Sequence, residues 1–359
     1  MNLLWLRSSR DTVSLDDCYL LARQLAVLQR AGVPVLSSLQ ALQTQLPSPA
    51  LRTILGTVRQ DLTEGRTLSQ ALAQHPRVFG PVFLGLVRVG EAGGMLDDAL
   101  GQLAQLLEWE LELRHRIRDA LQYPLIVLCT LGAALAVIAT FVLPRFATMF
   151  QSFRIPLPLQ TRLLIALSNL ITHEGWLLAL LLTAMGAGWW AYLRTDEGRM
   201  RWHTWKLRLP LIGSVLQQLA LSRVARVTAA LTHSGVSILD TLSLAGESVN
   251  NRYVRARLEL VRERVRIGTP LAAALRAEPL FPPVVIQMVA TGEETGRLDE
   301  LLRNVSEYYD QQSTYTLKKL ITYLEPLLLI VVGLGVLVMA TAVFVPMWDL
   351  VKIFKTPGR

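Results

Sequence analysis

Residues 89–100, VGEAGGMLDDAL, return 202 residues later as residues 291–302, TGEETGRLDELL. Each copy spells Gly-Glu-x-x-Gly-x-Leu-Asp, and each stands roughly 30 residues ahead of a long apolar run. Self-similarity at a fixed spacing is the mark of a duplicated structural unit. The similarity extends upstream. LLARQLAVLQRAGVPVL (20–36) aligns with RVARVTAALTHSGVSIL (223–239), so that Gly32 meets Gly235 at an offset of 203, and GRTLSQAL (65–72) aligns with GTPLAAAL (268–275) at the same offset. A slip of one residue then brings the opening motif into register at 202. Beyond it Pro124 matches Pro326, and Pro144 matches Pro346.

Both copies are patterned as helices. Leu21, Leu25 and Leu28 fall on one helical face, as do Val224, Val227 and Leu231, and strand-like alternation is rare. Gly32 and Gly235 read as helix stops, because glycine takes the left-handed position after a helix at no Cβ cost. Pro34 and Ser237, at equivalent places, suit the start of the next helix. Each copy therefore reads as an antiparallel helix bundle of about a hundred residues, enough to bury a core.

The composition says where these bundles live. Of 359 residues 52% are hydrophobic and the mean hydropathy is +0.36, too apolar for an ordinary soluble enzyme of this size. Residues 125–143, 176–193 and 327–345 are uncharged and long enough to cross roughly 30 Å of hydrocarbon. Residues 159–171 carry Arg162 and Asn169 over a shorter run, and read as an amphipathic helix that does not span. The first apolar run starts far from the amino terminus, so no cleavable leader is expected there. Arg114, Arg116 and Arg118 precede the first span, Arg194, Arg199, Arg201 and Lys206 follow the second, and Lys318 and Lys319 precede the third. By the positive-inside rule these flanks are cytoplasmic. Arg145, Arg154 and Arg162 are spread thinly between the first two spans, while Lys352, Lys355 and Arg359 in the tail run against the rule. Trp176 at one end of the second span, and Trp189, Trp190 and Tyr192 at the other, suit an aromatic belt.

The expected fold class is an all-α membrane protein with two repeated cytoplasmic antiparallel helix bundles and three transmembrane helices. The expected domains are a cytoplasmic repeat at 1–123, a span at 124–144, and a periplasmic segment with its amphipathic helix at 145–175. A second span follows at 176–193, a second cytoplasmic repeat at 194–325, a third span at 326–346 and a short tail at 347–359. The middle span returns the chain to the cytoplasm, so the repeats are parallel and not inverted.

Within the motif the first glycine is expected to end a helix. Asp97, Asp98, Asp299 and Glu300 suit the positive end of the next, and Thr295 would cap it. No Gly-Lys-Ser/Thr follows either copy, so neither is a nucleotide loop. This turn chemistry leaves Glu91 and Glu293 unexplained. They either bond loop amides or an arginine, or they contact a partner or an ion. Cys18 and Cys129 fall in different compartments and form no disulfide. The histidines, His75, His115, His173, His203 and His233, show no metal-ligand spacing, and no nucleophile elbow or kinase set appears. No catalytic, cofactor-binding or metal residues are therefore expected. The net charge of +8 sits largely beside the spans, which points to lipid headgroups and away from nucleic acid. The arginine run 251–266 pairs Glu259 and Glu263 with Arg262 and Arg266 three residues on, as a solvated face does, or else docks an acidic partner. Gly132, Ala136, Thr140, Gly333 and Gly335 would permit close packing of spans.

The doubled Gly-Glu-x-x-Gly-x-Leu, QYPLIV leading into the first span, LPRFATMF beyond it, PLPLQTRLL after that and LEPLLLI opening the last span resemble the type II secretion F family of polytopic platform proteins. The resemblance runs from about Leu20 to Trp348. It implies a non-enzymatic platform in the bacterial inner membrane, multi-pass with a cytoplasmic amino terminus. Such a platform couples a cytoplasmic secretion or pilus ATPase to pilin or pseudopilin assembly and protein secretion. Other inner-membrane assembly proteins, the lipid bilayer and further copies of the chain are implied partners. The family motif falls on Gly90, Glu91, Gly94 and Leu96 in the first copy and on Gly292, Glu293, Gly296 and Leu298 in the second. Gly93 departs from the family's usual Ser or Thr, which Thr295 keeps, and the chain begins almost directly at the first bundle. The alternative is a transporter or channel component, although spans without ionisable residues do not suit one.

Overall fold

A computed structural model of the chain describes residues 13–142, 175–209 and 212–355. All regular structure among the described residues is helical. The first copy comprises α1 (Leu15–Arg30), α2 (Val35–Gln45), α3 (Pro49–Thr63), α4 (Leu68–Ala73), α5 (Pro81–Gly93) and α6 (Leu96–Val137), the last ending in a π turn at Ile138–Val142. After α7 (Gly175–Arg194) and α8 (Asp196–Arg208), the second copy comprises α9 (Ile212–His233), α10 (Ile238–Ser248), α11 (Arg252–Arg266), α12 (Leu271–Arg276), α13 (Pro283–Thr295) and α14 (Leu298–Lys355). From α2 to α4 the boundaries repeat at 203, and those of α5 and the start of α6 at 202. The one-residue slip therefore lies in the α4–α5 connection, a surface loop where deletion is cheap.

The chain divides into two compact units. One takes Met1–Arg116 with Met200–Thr316, the other Ile117–Arg199 with Leu317–Arg359. In the first unit neighbouring helices pack in chain order, α1 on α2 through α4 on α5, and again α9 on α10 through α12 on α13. Helix starts follow local chemistry. Ser14 caps α1 in a reciprocal box with Asp17, Ser237 accepts from the Asp240 amide at α10, and Asn251 accepts from the Tyr253 and Val254 amides at α11. Gly32 and Gly235, at φ 77° and 82°, end α1 and α9 as their composition requires.

The sequence suggests two bundles with separate cores. Instead one hydrophobic cluster runs through both copies, from Leu21 and Leu39 through Leu103 and Leu106 to Leu231, Val289 and Val305. The reason is the apolar surface that α5, α6 and α9 retain after their own bundles are filled. In particular, Leu244 of α10 lies over Gly85 of α5, where a Cβ would stand 2.7 Å from its Cδ1.

Cys18 belongs to this core, 5% exposed. Burial first, and the neighbouring Asp17 charge second, push its thiol up to about 11 from 9.0. Two pH units lower the thiolate fraction about a hundredfold. In a Cys129→Ser background the folded protein should resist maleimide at pH 8 and label fully in denaturant. Complete labelling within minutes without denaturant would contradict this burial.

In the second unit α6 continues through Pro124 without a break. The segment expected as a separate span is thus the far end of a helix rooted in the first copy. α14 likewise runs through Pro346 to Lys355, so part of the expected tail is helical. Proline is tolerated in long apolar helices because it forfeits only local hydrogen bonds that neighbours re-satisfy. Two helical stretches, Leu96–Val137 and Leu298–Val338, are long and apolar enough to cross a membrane, and 0% and 6% of their most apolar windows are buried. Gly335 sits under Leu131, 2.7 Å from a built Cβ to Cδ1, whereas nothing approaches Gly132 or Gly333. One of the expected small-residue contacts is therefore made. The expected amphipathic helix at 159–171, with Arg145, Arg154, Arg162, Pro144 and His173, lies outside the described residues.

Candidate functional site

The repeated motif forms the same local structure twice. The second glycine, not the first, ends the helix. Gly94 and Gly296 take φ 67° and 70° after α5 and α13, and the Met95 amide reaches back to the Gly90 carbonyl at 2.9 Å. The first glycine lies inside the helix at a crossing. A Cβ on Gly90 would stand 2.5 Å from the Ala99 Cβ, and one on Gly292 would stand 3.0 Å from the Leu298 Cα. Hydrogen is the only side chain that lets α6 and α14 turn back so closely. Asp97, Asp98, Asp299 and Glu300 occupy the first turns of those helices, where the helix dipole favours acids. Thr295 does not cap α14; its hydroxyl donates to the Thr291 carbonyl one turn back, at 2.7 Å. Leu96 and Leu298 are the first residues of their helices.

Adding a methyl at Gly90 sets overpacking of about 1–3 kcal/mol against a helix-propensity gain of about 1 kcal/mol. Gly90→Ala should therefore lower stability by up to about 2 kcal/mol, and Gly292→Ala by less, because its neighbour stands further off. Thermal unfolding of the two variants side by side checks both sign and order.

Glu91 and Glu293 reach the start of a short helix, 23 and 22 residues upstream respectively. Glu91 Oε1 accepts from the Leu68 amide at 2.5 Å, and its Oε2 from the Ser69 amide at 3.1 Å and the Ser69 hydroxyl at 2.8 Å. Glu293 repeats this on the Leu271 amide at 2.5 Å and the Ala272 amide at 2.8 Å. A helix start leaves its first amides without intrahelical partners. At α4 the Thr67 hydroxyl takes the Gln70 amide, so Thr67 and Glu91 together satisfy the first three. At α12 the residue before the helix is Pro270, which offers no side-chain cap, and the carboxylate serves instead. Of the partners the sequence left open for these acids, backbone amides are what they touch.

A second polar cluster joins the copies. Asp310 on α14 accepts from Trp109 Nε1 on α6 at 3.0 Å, from the Ser222 hydroxyl and from the Arg226 guanidinium, both on α9. Arg223 pairs with Glu110 at 3.1 Å, and Arg223 and Arg226 lie 5.6 and 5.2 Å from the Trp109 ring centre. His233 sits 2.9 Å from Asp299 and 3.7 Å from Asp98; its hydrogen bond holds the Asp299 carboxyl below the usual range. Register carries a hint of this cluster. Arg23 and Glu108 stand at the positions of Arg226 and Asp310, and in the first copy both bond the Tyr19 hydroxyl, at 2.6 and 3.0 Å.

The arginine run on α11 is split. Arg262 and Arg266 pair with Glu259 and Glu263 on an exposed face, at 2.7 and 2.6 Å. Arg257 and Arg264 converge on Glu278, whose side chain is only 2% exposed, at 3.1 and 2.8 Å. Sequence spacing misses this buried acid because its partners lie 14 and 21 residues away. Among the described residues, no group of three or more His, Cys, Asp or Glu side chains gathers as a metal site would.

The family model for type II secretion system (T2SS), protein F, matches residues 21–144 and again 224–346. The type IV pilus assembly protein PilC of Thermus thermophilus is 36% identical over 94% of this chain and 83% of its own length. The type II secretion system protein F of Aeromonas hydrophila is 34% identical over 95% and 88%. That of Pseudomonas aeruginosa is 32% identical over 94% and 84%. Both matched segments begin within the first long helix of a copy and end beyond its apolar stretch.

Proposed function

The chain belongs to the type II secretion system protein F family, and from that premise we propose how it works as a platform in secretion or pilus assembly. It acts in the inner membrane as a scaffold and not as an enzyme. Both copies lie in the cytoplasm, the chain crosses three times, and residues 145–175 and the tail lie outside. α7 supplies the middle crossing. Arginines and lysines beside each apolar stretch support this orientation. So do Trp189, Trp190 and Tyr192, all exposed near the end of α7.

The observation that carries the reading is the doubled helical domain whose last helix continues, in each copy, into an apolar stretch uncovered by protein. Motion or contact received from a separate ATPase by the joined copies can pass along α6 and α14 into the bilayer, where pilin-like subunits are drawn out. The chain has no nucleotide loop of its own, so the energy comes from that partner. The repeated glutamates hold the domain together in this account, and the partners meet other surfaces.

Deleting the gene in the native host and scoring surface pili and secreted protein together tests the platform role. Loss of either output, restored by the wild-type gene, is the expected result; both outputs intact would refute it. Copurification of the cognate ATPase with the detergent-solubilised chain tests the direct contact separately.

A further inference from the structure

The two copies inside one chain meet head to tail, and that leaves two matching faces open. The first copy uses α5 and α6, with Gly85, Asp98, Leu106 and Trp109. The second uses α9, α10 and the start of α14, with Ala230, His233, Leu244 and Asp310. Such a heterologous contact buries a different patch on each partner, so the patch used by one is free on the other. Exposure follows that rule. Leu106 and Ala230, at the contact, are 9% and 6% exposed, whereas their counterparts Tyr308 and Val27 are 40% and 61% exposed.

We propose that the α13/α14 face of one chain docks on the α1/α2 face of a second copy, repeating between chains the contact made within one. The residues on the two open faces complement each other at each counterpart position. Where Leu244 fills the notch over Gly85, Ala41 would face Gln287, so the large and small partners exchange sides and the volume is kept. Where Ala230 and Leu106 line one cavity, Val27 would meet Tyr308, an apolar pair of larger size. His233 beside Asp98 becomes Arg30 beside Glu300, a permanent opposite-charge pair. The Trp109 N–H on Asp310 becomes a Gln311 amide on Glu108, donor to acceptor as before. A surface unrelated to self-association has no reason to keep volume at one of these positions, apolar character at the second, charge sign at the third and donor direction at the fourth.

Repeating a head-to-tail step gives a ring if the rotation closes. Both copies lead into apolar helices, so under the topology proposed above every added chain stays in the same bilayer; only this last point rests on that topology. The contact itself does not depend on which machine the platform serves.

The test uses full-length protein in native membranes, in a Cys129→Ser background, with two differently tagged chains expressed together. One carries Val27→Cys and the other Tyr308→Cys, and a short bismaleimide is added. The head-to-tail contact predicts a crosslinked species bearing both tags, and no crosslink when both chains carry Val27→Cys. Adding Arg30→Glu to the first chain should abolish the product, and Glu300→Arg in the second should restore it. Absence of any crosslinked species, or crosslinking of Val27→Cys to itself, would overturn the proposal. Neither result alters the deletion phenotype, so failure here is distinguishable from failure of the platform reading.

Discussion

Asp310→Ala lowers the stability of the joined copies by about 3 kcal/mol, the largest effect expected from a single side chain here. The carboxylate takes Trp109 from one copy and Ser222 and Arg226 from the other, and its side chain is 18% exposed. Removal leaves the buried Ser222 with a 3.3 Å bond to the Ser306 carbonyl and the Arg226 guanidinium, 22% exposed, without its charge partner. Fully buried pairs lose about 3–5 kcal/mol when one member goes, and the residual exposure places this one at the lower end. For a unit of this size that is a fall in melting temperature of about 6–12 °C. Asp310→Asn keeps an acceptor for Trp109 and should cost about half as much. Equal stability of Asp310→Ala and wild type in a thermal melt would show that the polar cluster does not hold the copies together.

Glu91→Ala costs about 2 kcal/mol and Glu293→Ala about 1 kcal/mol, within the range of lost helix caps. The order follows from geometry. Glu91 is half-buried and binds three donors, while Glu293 is more exposed and binds two. Ser69→Ala should cost little, since Ala272 already stands at that place in the second copy. Urea unfolding of the three variants orders them; a Ser69→Ala loss as large as that of Glu91→Ala would mean that the hydroxyl, and not the amides, matters to the carboxylate.

Much of the fold is legible in the sequence because its signals are local or periodic. Helix stops at Gly32 and Gly235, the start at Ser237 and the acids opening α6 and α14 all follow from residues within a turn of their effect. The two glycines of the motif are harder to tell apart, since both sit near a helix end. Only the packing of Ala99 on Gly90 shows that the first serves a crossing and the second the stop. Thr295 looks like a cap but is still inside α13, where a hydroxyl finds the carbonyl one turn back. The target of Glu91 lies 23 residues upstream at the Leu68 amide, and that of Glu278 on a different helix. Such long-range polar pairs depend on how helices stack, which periodicity does not encode. The shared core is likewise a consequence of the second copy being present: Leu106 reads as one more apolar position until α9 covers it.

The repeated glutamate holds its own bundle and is not a surface for a partner. Amide hydrogen exchange at residues 67–73 and 270–276, in wild type, Glu91→Ala and Glu293→Ala, tests it most directly. Protection is expected to be lost at 67–73 in the first variant and at 270–276 in the second, with the other copy's segment unchanged in each. Protection unchanged in both variants, with copurification of the ATPase lost, would contradict it and make these acids contact residues.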